Sequence, residues 1–254
     1  MEHLPHPADF SCADIACNLH ELYRAMSADR HFRQADLEWV DAAPAPWPQF
    51  IFNTAVHADT VRRAQHLIES GKAPPYWIAN ETETRDAGSA DLLRAAGFTP
   101  VLRWPGMAAR PERIIRTETG TLTCSTDPPT PAWVQLLRRT HFPEAGKMPD
   151  FLFSVQKAGS ALRFWHGTLA GELICGALTF QTGKVLGIYW MTTDPAFRQK
   201  GFGSQLLQNI AAWAVPNEIH WLCLQANRRS KDFYHRLGFE TYCNFDIYRY
   251  VAGL

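Results

Sequence analysis

The chain has 254 residues, 46% hydrophobic and 20% charged, which suits one large or two smaller folded domains and excludes a disordered chain. Lys plus Arg (25) equals Asp plus Glu (25), so the net charge is zero and no broad nucleic-acid footprint is expected. No run approaches the roughly 18 apolar residues of a membrane span, "MEHLPHPADF" lacks the regions of a leader, and the six cysteines form no CxxC pair, so free thiols in a cytoplasmic protein are expected.

In chain order, residues 1–40 are expected to be helical, from the spacing of apolar residues in "DIACNLHELYRAM". The proline-rich "DAAPAPWPQF" interrupts, and "FIFNTAV" is a strand candidate. "ADTVRRAQHLIESGK" is expected as a helix stopped at Gly71, "PPYWIAN" as a strand, and "SADLLRAAGF" as a capped helix ending at glycine. "RWPGMAARPER" is rich in Pro and Gly and marks the expected boundary near residue 112. Beyond it come a strand in "RIIRTETGTLTCST" and a helix in "PPTPAWVQLLRRTHF" with proline in its first turn. Three β-rich runs follow in "ALRFWHGTLAGELICGALTFQTGKVLGIYWMTT", separated by "LAGE" and "TGK". A helix with Leu206, Leu207, Ile210 and Trp213 at helical spacing comes next, then a strand "IHWLCLQ", a helix "SKDFYHRLG" and a closing hairpin in "FETYCNFDIYRYV". This order of elements implies a mixed α/β layer structure.

The stretch "DPAFRQKGFGSQLLQNI" sets two glycines between a strand and a helix. It is not GxGxxG, because Leu206 stands where the third glycine belongs, and no GxxxxGK[ST] occurs. What remains is Arg198-x-x-Gly201-x-Gly203. Glycines let successive N–H groups turn inward, and the helix start adds free donors and a positive dipole end, an arrangement that accepts pyrophosphate. A plain strand-to-helix turn with solvated Arg198 and Lys200 is the other reading of the same residues.

Downstream, "LQANRRSKDFYHRLGF" places Asn227, Ser230 and Tyr234 at spacings of three and four. With the glycine loop, this constellation resembles the GCN5-related N-acetyltransferases (GNAT) over residues 115–254. The resemblance implies their acyl-CoA N-acyltransferase fold, a mostly antiparallel twisted sheet flanked by helices. It implies acetyl-CoA as cosubstrate, held at its pyrophosphate by the main chain of Gln199, Lys200, Gly201, Phe202, Gly203 and Ser204, with Arg198 opening the loop. Met191 and Thr193 would pair with the pantetheine arm, beside a strand bulge whose N–H polarises the thioester carbonyl. Asn227 would help hold the cofactor where two strands splay, and Tyr234 would protonate the departing thiolate.

No general base is assigned. "VLGIYWMTT" carries no carboxylate, and His166, Glu144, Asp150 and His220 are unsupported candidates, with relay through water as the alternative. No metal-ligand spacing occurs, so no metal is expected.

A weak internal echo links "WIAN" with "LQAN" and "LLRAAGF" with "FYHRLGF", so residues 1–112 are expected to be a degenerate copy of the catalytic domain 113–254. The front copy lacks the glycine loop and carries Leu93 where the other has Tyr234. It would shape the acceptor pocket, with "PPYWIANETETRDAG" bordering the cleft; an unrelated cap is the alternative. The implied activity is transfer of acetyl to a primary amine, on a small molecule. A non-catalytic acyl-CoA-binding module, a protein or peptide acceptor, and a different acyl group are the alternatives. Oligomeric state is not readable.

Overall fold

The computed structural model describes residues 10–252 apart from 28, 44, 46, 85–87, 115–120 and 143–158. Helix α1 (Cys12–Met26) starts at a capping box in which Ser11 and Asp14 satisfy each other's backbone N–H groups. It buries Ile15, Leu19, Leu22, Tyr23 and Met26 along one stripe. The helix expected to continue to residue 40 stops here. Strands β1 (His31–Gln34) and β2 (Leu37–Asp41) form an antiparallel hairpin instead. Leu37, Glu38, Trp39 and Val40 are all buried in succession, which a strand covered on both faces allows and an amphipathic helix does not.

The first half continues through β3 (Gln49–Phe52), α2 (Ala58–Glu69), β4 (Tyr76–Asn80), α3 (Ser89–Ala95) and β5 (Phe98–Ala109). Helix α3 is not capped by a serine side chain as expected; Gly88 is its N-cap, and Ser89 bonds the Val56 carbonyl instead. The Pro/Gly-rich stretch expected at a boundary runs as strand β5 through Ala109, and a 3-10 turn at Pro111–Arg113 carries the chain onward. Pro105 is tolerated in β5 because the bond made there uses its carbonyl, which accepts from Ala226 N at 2.9 Å.

The second half comprises β6 (Thr123–Thr126), α4 (Pro131–His141), β7 (Leu162–Leu169), β8 (Glu172–Thr182), β9 (Val185–Thr193), α5 (Phe202–Ala214), β10 (Trp221–Gln225), α6 (Lys231–Arg236) and β11 (Glu240–Tyr250). The expected closing hairpin is a single strand. Its eleven residues contain no Gly or Pro to turn on, and both of its edges are paired, with β4 and β5.

The strands make one sheet in the order β1-β2-β3-β4-β11-β5-β10-β9-β8-β7-β6. The pairs β3/β4 and β9/β10 are parallel and the others antiparallel. Apart from β6, which has no counterpart, the order is symmetric about β11/β5, and each of these two strands lies beyond the other, inside the opposite half. The sheet is therefore mostly antiparallel, open and flanked by helices, as expected.

One face carries α1 and α4 over a single core that spans both halves, including Trp133, Tyr189, Phe245 and Ile247. The other carries α2 and α3 over Trp77 and Phe98, and separately α5 and α6 over Leu206, Leu207, Ile210 and Leu224. Each fully buried Leu or Ile contributes roughly 2 kcal/mol. Helix α1 bridges the halves. Asn18 donates to the Phe180 carbonyl at 3.1 Å and to Thr182 Oγ1 at 2.7 Å, and accepts from the Tyr189 hydroxyl at 2.6 Å. Six residues on, Arg24 forks onto buried Glu38 at 2.6 and 2.8 Å.

Candidate active site

Strands β9 and β10 run in parallel register only from Val185↔Trp221 to Gly187↔Cys223. β9 continues to Thr193 on its β8 side, while β10 ends at Gln225 against β5, so the two part and leave a cleft between them. Within that parted section β9 bulges. Trp190 and Met191 together face the single Ala177 of β8, and Trp190 has φ 48°. The bulge sends the two side chains to opposite faces. Met191 packs toward the α5 core, and Trp190 toward the α1/α4 core, where Trp47 of the first half lies 4.9 Å from it, ring to ring.

Past Thr193 the chain makes a short turn, Pro195–Phe197, opened by Asp194, whose carboxylate accepts from Ala196 N. Arg198 Nε donates to the Thr193 carbonyl at 3.0 Å, tying the loop to the strand end. Gln199 (φ 61°) and Gly201 (φ 83°) then take left-handed conformations, and α5 begins at Phe202 with no side chain capping it. A left-handed residue at the N-cap suits glycine, since a Cβ there costs roughly 1–2 kcal/mol. Among the described residues, the backbone N–H groups of Gln199 through Ser204 take no hydrogen bond. The loop is a concave row of donors at the positive end of a helix dipole, the geometry of an anion cradle.

Gly203 faces the cleft. A Cβ at this position would lie 3.4 Å from Thr193 Oγ1, 3.5 Å from Phe233 Cζ and 3.7 Å from Met191 Cε. The structure thus brings together the expected Met191, Thr193 and Gly203. The Lys200 ammonium is occupied locally, bonded to the Ala196 carbonyl at 3.1 Å and 5.4 Å from the Phe197 ring centroid, so only its main chain faces the cradle as a free donor.

Asn227 is exposed at the start of the turn into α6. Its Oδ1 accepts from Arg229 N at 2.9 Å and Ser230 N at 3.0 Å, so the carboxamide oxygen caps this turn. Tyr234, on α6, is buried against Phe233 and Phe239. Its hydroxyl takes no hydrogen bond among the described residues, and burial pushes the phenol well above its ordinary range, so it stays protonated at neutral pH.

The base candidates fare differently. His166 sits on β7, two strands from β9, with the Trp133 indole over Gly176 between them. His220 lies at the closed end of the β9/β10 pair, its N–H on the Lys184 carbonyl. Glu144 and Asp150 lie outside the described residues. One residue that does reach the bulge was not singled out from sequence: Trp47, in the proline-rich interruption. Only a contact map reveals it, since it belongs to no motif.

The equivalent place in the first half is closed. Helix α2 is capped by His57, whose ring accepts Thr60 N while Thr60 Oγ1 accepts His57 N. The Val56 N–H is bonded to the Glu83 carbonyl at 3.0 Å.

Residues 127–239 match the family model described as "Acetyltransferase (GNAT) family". That stretch is a GNAT domain. Its fold is similar to that of a GCN5-related N-acetyltransferase from Kribbella flavida, at 16% identity over 95% of this chain and 96% of that one, with a TM-score of 0.69. It is also similar to a tandem GNAT protein from the clavulanic acid biosynthesis pathway, at 13% identity over 99% and 98% of the two chains, with a TM-score of 0.60. Both likenesses run through the first half as well, so the fold as a whole matches a tandem arrangement of two such units. No curated protein matches the chain. The glycine cradle of the GNAT domain is in the second half, and in the first half the matching helix start is capped by its own side chains.

Proposed function

We propose that the chain is an acetyl-CoA-dependent N-acetyltransferase acting on a primary amine of a small molecule. The observation that carries this is the uncapped start of α5 beside the parted β9/β10 edge, with six successive N–H groups free of partners among the described residues. The main chain of Gln199 to Ser204 would hold the pyrophosphate, and the edge of β9 at Met191 and Thr193 would align the pantetheine arm. The bulge at Trp190 and Met191 would aim a backbone donor at the thioester oxygen. Asn227, its oxygen committed to the turn, would reach the cofactor through its NH2 group.

The amine nitrogen attacks the thioester carbon, the C–N bond forms, and the C–S bond breaks as the adduct collapses. Tyr234 donates its proton to the leaving sulfur and is restored by a proton from the amine nitrogen. The protonated Tyr234 hydroxyl, without a hydrogen bond among the described residues, favours catalysis over a module that only binds. Trp47 and Trp190 would wall the acceptor side, which is how the first half takes part. No helix among the described residues is long and apolar enough to cross a membrane, and all six cysteines are free, which fits a reducing cytoplasm.

The test is calorimetry with acetyl-CoA, followed by thiol release over a library of amines. Micromolar binding and release with one amine class are expected. Absence of binding overturns the site, and binding without release from any amine overturns the enzyme reading.

A further inference from the structure

Strand β10 ends on a polar residue, Gln225, at a place where the fold accepts an apolar one. Cys223 lies in the core under α1 and α4, and Leu222 and Leu224 lie in the core under α5 and α6. The alternation of the strand therefore puts Gln225 on the α1/α4 face. The last β9/β10 pair is Gly187↔Cys223, so Gln225 stands level with Tyr189, beside the bulge and on the other bank of the cleft. On its far side it faces Gly106 of β5, with Trp104 two residues along on the same face.

Three half-buried indoles gather on this side of the cleft. Trp47 and Trp190 are 4.9 Å apart, ring to ring. Trp104 joins them through Phe50 and Tyr23: its ring is 6.3 Å from Phe50, Phe50 is 5.6 Å from Tyr23, and Tyr23 is 5.1 Å from Trp47.

The Nε2 of Gln225 is buried and has no hydrogen-bond partner among the described residues. The residue as a whole is half-buried, so its side chain borders the cleft while the NH2 end is cut off from water. A donor buried in this way gives up its bonds to water with no return. The fold does not require it. Ile78 holds the matching place in the first half, two residues before Asn80 as Gln225 is two before Asn227, and is 1% exposed in the same core. Glutamine stands there only in the half that carries the cradle.

We propose that Gln225 selects the acceptor: its Nε2 donates to a carbonyl oxygen on a primary amine whose aromatic ring lies against Trp47 and Trp104. This rests on the acetyl-transfer reading above and names a substrate class for it. Indole walls favour a flat ring. A carbonyl suits an NH2 group that lacks a partner, and it brings no charge to be neutralised. A polyamine suits the recess less. The Arg249 guanidinium already stands 5.9 Å from the Tyr76 ring, which packs 6.3 Å from Phe50, and further positive charge would meet it.

The test measures thiol release from acetyl-CoA with 4-(aminomethyl)benzamide, benzylamine, hexylamine and putrescine in wild type, Gln225→Ile and Gln225→Met. Ile78 shows that isoleucine fits such a place, and methionine keeps the unbranched shape of glutamine. Wild type is expected to prefer the benzamide over benzylamine by about tenfold or more in kcat/KM, mainly through KM. It should also prefer benzylamine over both aliphatic amines. In the two variants the benzamide preference should collapse to within about threefold, with acetyl-CoA affinity by calorimetry unchanged. Their urea midpoints should match or exceed that of wild type, since the donor they remove has no partner in the fold.

A benzamide preference kept in both variants overturns the proposal, and so does hexylamine or putrescine as the best acceptor. A lowered urea midpoint in both variants also overturns it, because the carboxamide then bonds within the fold. A wild type that binds acetyl-CoA but releases no thiol with any amine overturns the transfer reading, and the role of Gln225 with it.

Discussion

Asn80 and Asn227 share four hydrogen bonds at equivalent places in the two halves of the chain. Each side-chain oxygen accepts the N–H two residues on, from Thr82 at 2.8 Å and Arg229 at 2.9 Å. Each main-chain carbonyl accepts the N–H groups three and four residues on, at 3.0 and 3.1 Å in the first half and 3.1 Å for both in the second. Each N–H donates to the side chain three residues on, Glu83 in one half and Ser230 in the other. The agreement extends to the helices that follow. Leu93 and Tyr234 both accept, at their carbonyls, from the residue just before the terminal glycine. Two turns built on the same four bonds, at matching places in the sheet, make the echo a structural repeat, whose halves differ in whether the preceding helix start is capped.

That difference carries the first prediction. Gly203→Ala adds a Cβ at ordinary contact distance from Thr193, Phe233 and Met191, so it should fold and keep acetyl-CoA affinity within about tenfold. Gly203→Trp fills the cradle, and binding should fall at least a hundredfold in calorimetry with the melting temperature little changed. Equal affinity in wild type and Gly203→Trp would remove the loop from the site.

For Tyr234→Phe the expectation is a split between stability and turnover. The hydroxyl takes no partner among the described residues, so its loss should change unfolding free energy by no more than about 0.5 kcal/mol. If it is the acid, kcat should fall about a hundredfold with acetyl-CoA affinity kept. Unchanged kcat would leave Tyr234 as a packing residue under α5.

The glycine loop, the strands β9 and β10 and the Tyr234 helix were legible because local chemistry dictates them: glycines, apolar runs and a helix stop lie within short windows. The β1/β2 hairpin was not. Its strand character comes from burial of Leu37 to Val40 on both sides, which depends on α1, α2 and the sheet around it. β5 was hidden by Pro100, Pro105 and Gly106, which read as loop unless β11 and β10 are known to flank it. Trp47 reaches the bulge only through packing across residues far apart in the chain, and no spacing encodes that.

Stability should respond to acidity in two stages, the upper one a balance of His20 against Glu83, whose carboxyl burial raises to about 7. Burial holds the His20 ring neutral and lowers its pKa to about 3, so the unfolded chain takes up a proton below about pH 6.5 that the folded one refuses. Burial alone would raise the Glu38 carboxyl, but hydrogen bonds from Arg24, Asn53 and His31 outweigh it and hold it at about 2. Its contribution is present above the unfolded value and lost as pH falls from 4.5 toward 2. The free energy of urea unfolding should change by about 1.4 kcal/mol per pH unit for each group in its window. His20→Gln should leave Glu83 unopposed, so that stability rises as pH falls from 6.5 to 4.5, and leave the lower stage. An unaltered slope in that variant would assign the upper stage to another group.

Asn18→Leu should destabilise more than an average substitution, by about 2–4 kcal/mol. It strands the buried Tyr189 hydroxyl and removes the bond between α1 and the Phe180 carbonyl. Urea unfolding measures it. A change under 1 kcal/mol would mean that packing of α1 alone fastens it to β8 and β9.

The exchange of β5 and β11 sets a timetable for the growing chain. When Ala109 leaves the ribosome, β4 and β5 each have a bare edge, because the strand that fits between them, β11, lies far later in the chain. The first half cannot close on its own schedule, and the second cannot close without β5, so neither finishes before the other. Such distant pairing slows folding and leaves sheet edges open to wrong partners while synthesis continues. The two repeats therefore mature together, in a single step gated by the appearance of β11.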